Sequence, residues 1–309
     1  MVDNIYITKG NITESVVPDY KAPKITSVHE VLVKLGNAHL LSASTYAVLG
    51  DTAVTNTGST VLNGDLGIAP GSTITGFPPG TYTGVLHQGD AAALQAHADA
   101  TAAAIALKAL TPTTDISLTD LGGAILTPGN YHASSTGTWS AGPLTLNGAG
   151  QYVFTFGTAL TMPANATVVL TNGATADNVF FVTGSAFTFG ADCTVNGTIL
   201  AGTSITFASN SVLNGRALTY GPAGTTVTFP SAATVNVPVN ASASFSYQIV
   251  AINSPTSFYA TYLPWDLVIN QSTGLISGTI FPNSVGEFRI PLQAANDAGV
   301  GTMILTILI

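Results

Sequence analysis

The sequence predicts an all-β chain: a β-solenoid with one long α-helix alongside, followed by a small β-sandwich. Three observations carry this. The first is a returning block of Thr or Ser, a small residue, an apolar residue and Thr. It reads Thr158-Ala159-Leu160-Thr161, Ser185-Ala186-Phe187-Thr188, Thr203-Ser204-Ile205-Thr206 and Thr225-Thr226-Val227-Thr228, with an earlier copy at Thr52-Ala53-Val54-Thr55. The last three copies are 18 and 22 residues apart, near the period of one coil in a stacked repeat architecture. The second is composition: 7% of the residues are charged and 46% are hydrophobic. The third is a single alanine-rich stretch with helical spacing, about residues 90–110.

Composition also excludes function classes. Charge is far below the roughly 25% of an ordinary domain, and seven Lys and Arg give a net charge of −8. A nucleic-acid partner needs a basic footprint, which is missing. Cys193 is the only cysteine, so no intrachain disulfide can form, and its strand-like surroundings read as a small buried hydrophobe. No run reaches the ~18 apolar residues of a membrane helix. Met1-Val2-Asp3-Asn4 does not open a signal peptide, so export implies a removed signal or another route.

Taken in order, residues 1–34 form an extended N-terminal arm. They hold eight of the chain's 22 charged residues. Ile5-Tyr6-Ile7 is its strand-like part, and Pro18 and Pro23 keep the following chain open. Residues 35–235 form the solenoid. Strand-like runs such as Val153-Phe154-Thr155-Phe156 and Thr167-Val168-Val169-Leu170 alternate with Asn-Gly corners at Asn63-Gly64 and Asn172-Gly173. Asp90 caps the helix, and Leu94, Ala98, Thr101 and Ile105 form the stripe expected to cover one side of the solenoid. Residues 236–309 return to conventional strands with a turn at Asn270-Gln271-Ser272-Thr273-Gly274.

Several stretches carry a resemblance: Tyr46-Ala47-Val48-Leu49, Asn63-Gly64-Asp65-Leu66-Gly67-Ile68-Ala69-Pro70-Gly71, Leu126-Thr127-Pro128-Gly129-Asn130-Tyr131, Asn178-Val179-Phe180-Phe181-Val182, Asn196-Gly197-Thr198-Ile199-Leu200-Ala201 and Leu213-Asn214-Gly215-Arg216-Ala217-Leu218. With them, residues 35–235 resemble the microbial ice-binding protein family, a discontinuous β-solenoid with a side helix. Residues 236–309 are similar to an immunoglobulin-like module of bacterial surface proteins, through Leu263-Pro264-Trp265-Asp266, Ser272-Thr273-Gly274-Leu275 and Ala295-Asn296-Asp297-Ala298-Gly299. The resemblance implies a secreted or cell-surface antifreeze or ice-adhesion protein, with ice or ordered water as its partner. Its face would comprise Thr52, Thr55, Thr158, Thr161, Ser185, Thr188, Thr203, Thr206, Thr225 and Thr228. A threonine column is physically suited to this, because Thr is stiff at χ1 and holds methyl and hydroxyl groups in fixed rows.

A rival reading is a non-enzymatic structural subunit of a surface or virion fibre. The arm of one copy, led by Ile5, Tyr6 and Ile7, would add a strand to the next, head to tail. Enzymatic readings are weak. Leu41 to Ala233 contains no Glu, and the Asp residues there share no coil position, so paired acid and base catalysis is not expected. His87, Asp90, His97 and Asp99 cluster at the helix start, but capping explains them better than a metal, and no cofactor is expected. Arg216 is expected to fix a coil end or the helix by pairing with an Asp.

Overall fold

Alternation of inward and outward side chains organises the chain. In Leu144–Asn147, for example, Leu144 and Leu146 are buried while Thr145 and Asn147 are half-exposed. The computed structural model describes residues 21–27, 30–32, 40–221, 224–238, 243–263, 267–280 and 287–308. The protein is mostly β with one α-helix, and its sheets are mainly parallel. Its described residues fall into two compact units, one within 40–243 and one combining 21–32 with 244–280 and 287–308.

In the first unit, strands stack in three parallel series. One contains Gly129–Ala133, Tyr152–Phe156, Val179–Thr183, the second halves of Thr194–Ala201 and Ser211–Thr219, then Tyr46–Gly50, Asp65–Ile68 and Leu86–Gln88. The next contains Ile125–Leu126, Leu144–Asn147, Val168–Thr171, the first halves of the same two long strands, then Ala233–Asn236, Val61–Asn63 and Thr81–Tyr82. The third contains Leu160–Thr161, Phe187–Thr188, Ser204–Thr206, Thr226–Phe229, Ala53–Asn56 and Thr73–Thr75. In every series the N-terminal strands follow the C-terminal ones, so the stack is continuous in space and broken in the chain.

Inward residues repeat from layer to layer. Tyr131, Phe154 and Phe181 stack with centroids 5.0 and 4.9 Å apart, and Phe189, Phe207 and Phe229 at 4.3 and 4.5 Å. Such pairs add about 0.5–1.5 kcal/mol each beyond their buried area. An asparagine ladder runs along one corner. Asn63 Nδ2 donates to Asn236 Oδ1 at 2.7 Å, Asn236 to Asn214 at 2.9 Å, and Asn214 to Asn196 at 3.0 Å. The next residues, Gly64 and Gly197, sit at φ +152 and +142, which glycine adopts without cost. Arg216 behaves as the sequence suggests. Fully buried, it donates from Nε to the Ser44 carbonyl at 2.5 Å and lies 3.4 Å from the Asp177 carboxylate. Burial pulls its guanidinium below the usual value and Asp177 opposes that shift. Cys193 is buried and its Sγ donates to the Pro163 carbonyl at 3.0 Å.

The helix Ala91–Lys108 is capped by Asp90, whose side chain accepts from Ala93 N at 2.8 Å and lies 2.8 Å from His87 Nδ1. Asp99 accepts from Ser42 N at 3.1 Å, fastening the helix to the short 3-10 segment Leu41–Thr45. The inward face differs from the expected stripe. Leu94 and Ile105 are 49% and 62% exposed and Ala98 is exposed, whereas Ala93, Ala96, Ala100, Ala103, Ala104 and Leu107 are buried. They pack on Val153, Phe180, Val182, Leu200 and Leu218, which point outward from the first series. Five alanines in one face let the helix backbone lie close to the sheet, so the larger side chains are turned to water. Between helix and sheet edge lies a cavity of about 460 Å³ lined by Asp51, Pro70, His97, Thr101, Ile105 and Tyr220. His97 Nε2 is buried there without a hydrogen-bond partner among the described residues.

The second unit contains the long antiparallel hairpin Glu287–Asn296 and Gly299–Leu308, with Ser257–Ala260 paired to its first strand. The predicted turn is present: Asn270 Oδ1 accepts from Ser272 N at 3.0 Å, and Gly274 N donates to the Asn270 carbonyl at 2.8 Å. The arm is where expectation and structure part. Lys24–Ile25 pairs antiparallel with Ala251–Ile252, and Glu30–Leu32 pairs parallel with Thr306–Leu308, all within one chain. These residues therefore pair with strands of the second unit instead of standing free. Ile25 is 8% exposed. Ile5, Tyr6 and Ile7 lie outside the described residues.

Three outcomes follow from this packing. Ala100→Leu overpacks the helix face and should cost about 1–3 kcal/mol, whereas Ala98→Leu should stay within about 0.5 kcal/mol; thermal unfolding of both variants separates the faces. For His97, burial lowers the pKa from its ordinary 6.5, and Asp51 opposes the shift. The fold thus favours neutral imidazole. Its contribution is full above pH 6.5 and is lost as pH falls from there through the lowered folded value. Between about pH 7.5 and pH 5.5, wild-type Tm should therefore fall more steeply than that of His97→Leu; equal slopes would exonerate His97. Finally, deleting residues 1–32 should unfold the unit formed by 244–308 while sparing residues 40–243, readable as loss of protected amides in the C-terminal hairpin alone.

Candidate functional site

The third parallel series carries the candidate site. Its strands are two to four residues long and present inward apolar residues: Leu160, Phe187, Ile205, Val227 and Val54 are all 0% exposed. Because side chains alternate with period two, the residue after each must point outward. Register makes these outward residues a column: Thr161, Thr188, Thr206, Thr228, Thr55 and Thr75. The isolated pairing of Gly137 with Leu160 places exposed Thr138 next in line, so the column holds seven threonines. At about 4.7–4.9 Å per layer it runs for roughly 29 Å.

A second row lies two residues earlier on each strand. Ser204, Thr226, Ala53 and Thr73 are in register there, and Ala159 and Ala186 precede them. Thr55 Oγ1 donates to Thr228 Oγ1 at 3.4 Å, within the column. The column ends at Asp120, which is paired with Thr138. The Ser140 hydroxyl, with the Ser140 and Gly122 amides, holds this carboxyl below the usual carboxylate range. The surface is therefore a two-row array of hydroxyl, methyl and small side chains, with the Asp120 carboxylate at one end. It can arrange water through fixed hydroxyls and shallow methyl pockets, and ordered water bridges to a partner nearly as well as direct contact does.

The structure divides the predicted residues in two. Thr55, Thr161, Thr188, Thr206 and Thr228 stand in the column. Thr52, Thr158, Ser185 and Thr203 lie three residues earlier, at the corner leading into each strand, where Ser185 N donates to the Thr158 carbonyl and Thr203 N to the Ser185 carbonyl. Thr225 is 2% exposed and turned inward, its hydroxyl buried without a partner among the described residues. Parity accounts for Thr225, because residues i and i+3 of a strand face opposite ways whereas i+1 and i+3 share a face; Thr52, Thr158 and Thr203 stay exposed because they sit in corners before their strands begin. Sequence reasoning accordingly missed Thr73, Thr75, Thr138, Ser204 and Thr226. A shorter signal was available. Thr73-Ile74-Thr75, Ser204-Ile205-Thr206 and Thr226-Val227-Thr228 share an outward-inward-outward triplet.

Among the described residues no group of three His, Cys, Asp or Glu could hold a metal ion, and no helix is long and apolar enough to cross a membrane. The sequence profile described as Ice-binding-like matches residues 48–233. An ice-binding protein of Nostoc sp. (strain HG1) is 43% identical over 182 residues, covering 57% of this chain and 67% of its own length. The crystal structure of an ice-binding protein from the Antarctic ascomycete Antarctomyces psychrotrophicus is similar with a TM-score of 0.59 and 39% identity, covering 63% of this chain and 96% of that one. A second, an ice-binding protein from an Antarctic biological consortium, has a TM-score of 0.61 at 34% identity and covers 69% and 95%. By that profile, which spans more than half of its length, the chain belongs to the Ice-binding-like family.

Proposed function

We propose that this protein binds ice, a non-enzymatic function, and that the unit within residues 40–243 is a discontinuous β-solenoid whose two-row threonine array is the ice-binding face. The observation that carries this reading is the in-register column of Thr138, Thr161, Thr188, Thr206, Thr228, Thr55 and Thr75, over which no described helix of this unit packs. The first series is covered by the helix. The second exposes a more mixed outer row of Thr194, Val212, Thr234, Val61 and Thr81. Ice growth is a process outside cells as well as in them, and the family resemblance favours an extracellular or cell-surface site of action. The unit of residues 244–308 is then an immunoglobulin-like spacer, a reading supported by its antiparallel hairpin. A fibre built through the N-terminal arm is the second reading; Lys24–Ile25 and Glu30–Leu32 pair within their own chain, which leaves only the segment before them for strand addition.

Thr206→Tyr places a bulky ring in the middle of the column. It should weaken ice affinity by about tenfold, about 1.4 kcal/mol, and so lower thermal hysteresis and partition into growing ice. Stability should move by less than about 0.5 kcal/mol. Val169→Tyr, on the second series, should leave ice affinity unchanged. Wild-type protein that neither shapes ice nor partitions into it would end this reading.

A further inference from the structure

The threonine column crosses the break in the chain between Thr228 and Thr55, which are 173 residues apart in sequence. This crossing differs from its neighbours. From paired Ala201 to Ser204 the corner takes three residues, but from their partners Thr219 to Thr226 it takes seven. Four extra residues therefore enter the stack just before the strand Thr226–Phe229. An insertion at a corner weakens the control of strand phase. One residue of slip would turn Thr226 and Thr228 inward and present Val227 and Phe229 to solvent.

Asp51 occupies the neighbouring corner, 1% exposed. Its Oδ2 accepts from the Thr225 amide at 3.2 Å and from Thr52 Oγ1 at 3.0 Å. Thr52 Oγ1 in turn accepts from Gly224 N at 2.9 Å. The Asp51 carbonyl accepts from Gly71 N at 2.8 Å, in the following layer. A Cβ on Gly71 would come within 2.5 Å of that oxygen, so the third corner closes directly on Asp51. One side chain thus grips the end of the insertion, its own corner and, through its main chain, the next.

We propose that Asp51 is a positioning residue of the ice-binding face: its carboxylate clamps Thr225 inward and sets the phase of Thr226–Phe229, keeping the threonine column unbroken where the chain is broken. Thr52 belongs to this clamp as the relay to Gly224, which gives that exposed corner threonine a role apart from direct ice contact. The proposal rests on the assignment of the threonine array as the face, and its test separates the two.

The full chain is compared as wild type, Asp51→Asn, Asp51→Ala and Val195→Ala, the last a core change in the second series chosen to lower Tm. Thermal hysteresis, Tm and amide exchange at Thr225 and Thr228 are measured on each. Asp51→Asn keeps a carbonyl acceptor and should retain most of the hysteresis. Asp51→Ala should lose about tenfold in ice affinity, with faster exchange at Thr225, whereas Val195→Ala at a similar Tm keeps both. Unchanged exchange at Thr225 in Asp51→Ala overturns the clamp, as does a hysteresis loss no larger than that of Val195→Ala. If wild type lacks hysteresis, the face assignment fails, and exchange at Thr225 alone then decides the clamp.

Discussion

In-register parallel stacking is the constraint on which the rest of this structure depends. Once strands pair without offset, an inward residue in one layer lies under its counterpart in the next, and so does an outward one. The aromatic stacks inside and the threonine column outside are therefore two consequences of one register. Phe207 and Phe229 are 4.5 Å apart, close to the layer spacing, and the preceding residues of the same strand pair align Thr206 with Thr228. A change that shifts one row shifts the other.

Stacking also explains how the chain can begin its parallel stack in the middle. The strand Ser211–Thr219 has open edges that Tyr46–Gly50 and Ala233–Asn236 fill. Where the N-terminal strands join, the layers lack a direct covalent link, and side-chain bonds cross the joint. The asparagine ladder crosses it from Asn236 to Asn63, Arg216 crosses it to Ser44, and Thr219 Oγ1 crosses it to the Leu49 carbonyl at 3.3 Å. Burying Arg216 without such partners would cost several kcal/mol, so the Ser44 carbonyl and Asp177 are what make a cation tolerable in that position.

Much of this was legible in the sequence because repetition leaves a linear trace. The recurrent blocks, the Asn-Gly corners, the Asp90 cap and the single helix all survive as local patterns. What was not legible depends on parity and on order. The returning four-residue block mixes a corner residue with a column residue, and only the strand start tells them apart, so Thr225 was placed outside although it is buried. Thr73 and Thr75 stack beyond Thr55, after a crossing that sequence order hides. The helix misled for a different reason. Its leucine and isoleucine suggest an inward stripe, yet the close approach to the sheet selects alanines, and size overrides hydrophobicity. The arm misled because its charged composition reads as solvated, while Ile25 and the backbone of Glu30–Leu32 are what the second unit uses.

The placement of charge follows from the same geometry. A residue in the column is repeated every layer, so a charged side chain there would face like neighbours at about 4.8 Å. Two unit charges at that distance repel by about 1 kcal/mol even in bulk water, and more beside a protein wall. Several charges in this unit sit where repetition stops: Asp120 at the end of the column, Asp90 at the helix start, Asp51 and Arg216 at the chain break. A neutral threonine in every layer is thus a requirement of in-register stacking before it is a device for water. The proposed face and the fold that carries it impose the same choice of residue.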